Sequence, residues 1–155
     1  MQNYLLLILI TLSSCIKDYS STTSSVIKNT TGHLIKIEPF INGNLENNSV
    51  IIISQCSEKK VIENAMIRGK ATGDCFGRLM QPYDSIIISF DGLKKSTHLK
   101  FSSSITDSFN YVLFSNNRSF TNNVNWNKLT LGETKHTLNT LFEYSFSEQD
   151  YLNAK

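Results

Sequence analysis

The stretch Asp84-Ser-Ile-Ile-Ile-Ser-Phe-Asp91 constrains this chain more than any other. Its β-branched run is stiff at χ1 and suits a pleated surface better than a helix turn. It is also too short for a helix that must bury itself. Ile86, Ile88 and Phe90 alternate with Ile87, so both faces are apolar and the strand is expected to be covered on both sides. Asp91-Gly92 then turns the chain, and Thr97-His-Leu-Lys-Phe101 returns with Leu99 and Phe101 on one face. A strand, a Gly-containing turn and a second alternating strand make a hairpin.

The same grammar recurs. In His33-Leu-Ile-Lys-Ile-Glu38, Ile35 and Ile37 alternate with Lys36 and Glu38, the period of a half-buried strand. Pro39 cannot donate to a ladder, so this strand is expected to end there or lie at an edge. Asn42-Gly43 is a turn signal. Val50-Ile51-Ile52-Ile53 is a short apolar run, expected to be a strand covered on both faces, with residues 60–64 pairing back on it. Residues 68–80, with Gly69, Gly73 and Gly77, read as a loop. Tyr111 to Phe114 is a brief apolar run, either a strand or a single helical turn, and the Asn-rich stretch 116–127 has no clear period. Leu129 to Glu133 opens a second hairpin. Phe142, Tyr144 and Phe146 alternate with polar residues in a terminal strand. Ser147-Glu-Gln-Asp150 has the spacing of a capping box at the start of a short C-terminal helix. Short strands at regular spacing predict an all-β fold. The expected form is a single antiparallel β-sandwich, Ig-like or an open barrel, with that helix at its end.

Composition excludes some functions. The chain has 155 residues, 40 % hydrophobic with nine Phe and six Tyr, enough for one core. Its formal net charge is +2, and Lys59-Lys60 and Lys94-Lys95 are only pairs, which argues against nucleic acid as a partner.

The N-terminal end differs from the rest. Leu5 to Leu12 is an uncharged apolar run, too short to span a bilayer but of signal-peptide length. Leu12-Ser13-Ser14-Cys15 follows, and it resembles the bacterial lipobox at every position. The n-region, Met1-Gln-Asn-Tyr4, lacks the usual Lys or Arg. The resemblance implies that residues 1–14 are removed and that Cys15 carries lipid. The membrane is then a partner through fatty acyl chains such as palmitate, more than one of which makes anchoring stable. Lys17-Asp18 resembles part of the surface-export signal of Bacteroidota lipoproteins; the outer membrane's periplasmic face and the cell surface both stay open. Residues 15–25 are polar and small, and are expected to form a flexible tether, with the domain spanning 26–155. An exported chain meets an oxidising compartment, so Cys56 and Cys75 are expected to form a disulfide.

The early Asn-Thr-Thr-Gly-His-Leu-Ile-Lys-Ile strand, the central Asp84–Asp91 strand and the terminal Phe-Glu-Tyr-Ser-Phe-Ser-Glu-Gln-Asp-Tyr together resemble small Bacteroidota lipoproteins. That likeness implies a sandwich and no activity. Asp84-Ser85-Ile86 also resembles a short O-glycosylation motif of such exported proteins.

No catalytic, cofactor or metal constellation stands out. His33, His98 and His136 are scattered without partners at ligand spacing. Gly69-Lys70-Ala71-Thr72 has the end of a phosphate loop, but Asn64 stands where its first glycine belongs. Trp126, among Asn122, Asn123, Asn125 and Asn127, is the candidate binding residue: its face could stack on a sugar and the amides could bond hydroxyls. The opposing reading makes Trp126 the core tryptophan of the sandwich. Two function classes follow, a membrane-anchored binding or structural module for a protein or glycan, and an envelope enzyme.

Overall fold

A computed structural model describes residues 19–68, 83–100, 111–113 and 115–155, with 63–68 described by backbone alone. Among the described residues, ten strands form two sheets. The first comprises β1 (Ser20–Asn29), β5 (Ser57–Arg68), β9 (Asn127–Glu133) and β10 (Thr137–Phe146), in the order β5-β1-β10-β9. The second runs β3 (Asn44–Leu45), β2 (Ile35–Ile41), β6 (Ser85–Phe90), β7 (Lys94–Leu99), β8 (Tyr111–Val112), and β4 (Ile51–Ile53) also pairs with β2. A short helix, α1 (Glu148–Asn153), follows β10. The protein is an all-β, sandwich-like domain with a C-terminal helix. It is not purely antiparallel: β1 runs parallel to β10, and β7 parallel to β8.

The core is where the apolar faces meet. Ile27, Tyr144 and Phe146 from the first sheet join Ile35, Ile37, Ile53, Ile86, Ile88 and Phe90 from the second. Two further members, Phe120 and Trp126, come from the Asn-rich segment between β8 and β9. Phe120 lies 5.0 Å from Tyr144, 5.2 Å from Trp126 and 5.7 Å from Phe146, centroid to centroid. The segment holds its shape through its own amides. Asn116 Oδ1 accepts from Arg118 N–H (2.7 Å) and Asn122 Oδ1 from Val124 N–H (3.1 Å). Asn125 Nδ2 donates to the carbonyls of Asn116 and Ser119. Such Asx bonds supply backbone partners where no ladder exists.

The turns follow their residues. Asn42 and Gly43, and Asp91 and Gly92, all take positive φ, which Asn, Asp and Gly tolerate best. Asp150 accepts from the backbone N–H of Ser147 (2.7 Å) at the start of α1, as the capping spacing predicts.

Several expectations are corrected. Residues 20–25 are not tether but the first half of β1, between β5 and β10. Ser21, Thr23 and Ser25 are buried on the face that continues to Ile27 and Asn29. With one apolar residue in five on that face, hydropathy has nothing to detect. Pro39 lies inside β2, beside Ile86 in the register. Its carbonyl accepts from Glu46 N–H, so its missing donor falls on the side where β4 gives way to β3. Residues 60–62 pair with β1 rather than β4. Ile52 is 56 % exposed, so β4 is covered on one face only, and Ile87 is half-buried while Ile88 is fully buried.

Candidate functional site

The polar side chains that converge lie at one end of the sandwich, around α1. Asn29 closes β1 there and is itself buried. Its amide donates to the carbonyls of His33 (2.7 Å) and Ser54 (2.9 Å), and its Oδ1 accepts from the N–H and hydroxyl of Thr31. This shapes the β1–β2 loop and aims His33 outward. His33 Nδ1 is 2.6 Å from Asp91 Oδ2, and Nε2 is 3.7 Å from Glu148 Oε2. Its ring stacks on Tyr151 at 3.6 Å. Asp91 also accepts from Leu34 N–H (2.8 Å), and Glu148 from Gly32 N–H (2.8 Å). The hydrogen bond from His33, with that from Leu34, holds the Asp91 carboxyl below its ordinary value. His33 is thus clamped between two carboxylates, joining the β1–β2 loop, the β6–β7 turn and α1. Both ring nitrogens face acids, so the imidazole is not presented to a nucleophile.

The other side of α1 borders a cleft of about 510 Å³, lined among others by Lys95, Thr97, Tyr111, Asn116, Asn117, Arg118, Asp150 and Asn153. Arg118 anchors its wall. Its Nε donates to Asp150 Oδ1 (2.9 Å), Nη2 pairs with Asp150 Oδ2, and Nη2 also reaches the Ser145 carbonyl (2.9 Å). Hydrogen bonding to Asp150 raises the Arg118 pKa further above its ordinary value. The Tyr144 hydroxyl donates to the Arg118 carbonyl (2.8 Å), and burial pushes its pKa up.

His98 borders the cleft but is buried. Its Nδ1 accepts from Phe120 N–H (3.0 Å), which leaves Nε2 to donate to Ser96 Oγ (3.1 Å). Burial lowers its pKa to about 3, so the ring is neutral and structural. A second hollow, apolar and about 200 Å³, is lined by residues including Ile37, Pro39, Val61, Tyr83 and Phe120.

Trp126 is 4 % exposed and its Nε1–H donates to the Phe120 carbonyl (3.0 Å), so the core reading is the correct one and its face is not open to a ligand. The exposed aromatic beside amides is instead Tyr111. Cys56 is exposed, and its backbone takes positive φ (48°). Cys15, Cys75 and the glycine-rich loop lie outside the described residues. His136 sits in the β9–β10 turn. Ser85 is half-buried, and its hydroxyl bonds Asp84 (3.1 Å). Among the described residues no cluster of His, Cys, Asp or Glu is fit to hold a metal ion, and no helix is long and apolar enough to cross a membrane.

The His33 clamp was missed in sequence because its partners are 58 and 115 positions away. The usable signal was the Asp91-Gly92 turn, once the strand from Ile35 is laid against the strand ending at Phe90. Comparison with protein-family models, with curated proteins and with solved structures finds no match.

Proposed function

We propose that this chain is a lipid-anchored envelope lipoprotein of the outer membrane, a binding module for a glycan or protein. What supports the anchor is the lipobox-like Leu12-Ser13-Ser14-Cys15 after an apolar run of signal-peptide length. The single observation that carries binding is the polar cleft beside α1. Its volume is within the range of small-ligand sites, and it combines an exposed aromatic, Tyr111, with Asn116, Asn117 and Asn153 and the cation of Lys95. An aromatic face stacks on a sugar ring, amides bond its hydroxyls, and a cation favours an acidic sugar over a neutral one.

The test pairs two variants. Cys15→Ser should leave unprocessed or soluble protein, and fractionation identical to wild type sinks the anchor. On that soluble form, titration with acidic and neutral envelope oligosaccharides should give binding that Tyr111→Ala abolishes. Saturable binding untouched by Tyr111→Ala and Asn117→Ala would place the ligand elsewhere. The same export reading extends to a Cys56–Cys75 bridge. Protein denatured without reductant should then take no thiol label at these two positions, whereas two labelled cysteines refute the bridge.

A further inference from the structure

Because β1 and β10 run parallel, their register defines the two ends of the domain. Ser20 stands beside Thr137, and its N–H donates to the His136 carbonyl (2.8 Å). Asn29 stands beside Phe146, and α1 begins two residues further on. The nine residue steps from Ser20 to Asn29 place these ends about 30 Å apart at strand rise. The first end holds the β9–β10 turn and Leu131, 65 % exposed. The second holds α1, the His33 clamp and the polar cleft.

The correction to β1 shortens the tether. Five residue steps separate Cys15 from Ser20. Five residues reach at most about 18 Å. Resting on the lipid-anchor reading, we infer that the domain stands on the bilayer with the β9–β10 turn and Leu131 against the lipid surface, and holds the cleft beside α1 in water at the far end. The tether is shorter than the strand, so the α1 end meets lipid only if the domain lies on its side. In that pose the outer strands β5 and β9 carry exposed Glu58, Lys59, Lys60 and Lys128, which hold the domain at headgroup depth because entering the acyl layer would strip their water. At the turn, Glu133 and Lys135 balance in charge and Leu131 is exposed; Leu93 and Leu152 are exposed at the far end too, so the short tether and not apolar exposure decides which end meets lipid. A cleft oriented away from the bilayer can take ligands that a lipid-facing one would exclude.

Amide hydrogen exchange tests this on the full lipidated chain, reconstituted in vesicles of phosphatidylethanolamine and phosphatidylglycerol, with soluble Cys15→Ser protein beside the same vesicles as reference. Amides of residues 131–136 should slow by about tenfold on the vesicle, the change that 1.4 kcal/mol of added protection produces. Residues 91–93 and 148–153 should exchange as in the soluble form. Protein that does not float with the vesicles overturns the anchor and this orientation together. Protein that floats but is protected at 148–153, or at neither end, overturns the orientation alone.

Discussion

His98 offers the sharpest quantitative prediction. Its ring is 4 % exposed, and Nδ1 is committed as the acceptor for the Phe120 N–H. Protonation would set two donors against each other in a buried site, in addition to the cost of burying charge. The folded pKa is therefore about 3, against 6.5 for an ordinary imidazole. Above pH 6.5 the ring is neutral in both states and contributes no pH dependence. Between 6.5 and about 3 the unfolded chain binds a proton that the folded chain refuses, so stability falls as pH falls. The slope is about 1.4 kcal/mol per pH unit, or about 2 kcal/mol between pH ~6.5 and ~5, a large share of a typical domain's stability. Urea denaturation at several pH values in this window measures it. His98→Asn keeps an acceptor near the Nδ1 position and removes the titration. The variant should be less stable at neutral pH yet lose most of the slope. Equal slopes in the two proteins would refute the buried-imidazole account. The Asp91 carboxylate does not confuse the result. Its folded pKa lies below 3.8, so its contribution, present above the unfolded value, is lost only at lower pH.

Other consequences are as direct. Asn29→Ala should cost about 3 kcal/mol in denaturant titration, because it strands the buried partners of both ends of the amide. Ser25 is 3 % exposed and its hydroxyl has no hydrogen-bond partner, so Ser25→Ala should raise stability by about 1 kcal/mol; a loss would show that the hydroxyl is satisfied. Ile88→Ala should cost about 2–5 kcal/mol, whereas Ile52→Ala should cost less than about 0.5, a contrast readable from thermal midpoints. Asp150→Asn should cost about 1–2 kcal/mol by weakening both the Arg118 fork and the α1 cap, with the far-UV helix signal falling in parallel.

The sequence alone determined what depends on neighbours along the chain. Alternation in Ile35–Glu38, Ser85–Phe90 and Phe142–Phe146 marked strands, because side chains on a strand change face at every residue. Asn42-Gly43 and Asp91-Gly92 marked turns, and Ser147 to Asp150 a helix start, since each rests on φ preference or a hydrogen bond within four residues. Tertiary structure decided the rest. Ser20–Ser25 became an inner strand because β5 and β10 supply ladders to a stretch whose own side chains carry little hydrophobic signal. Phe120 and Trp126 became core because a segment without regular period was bonded into shape by its own asparagines and closed over by Tyr144. His33 gained Asp91 and Glu148 only when two turns and the terminal helix met at one end of the sandwich. A local signal specifies which face a residue shows, but which other face it meets depends on strand order, and strand order is set by the burial of the whole chain at once.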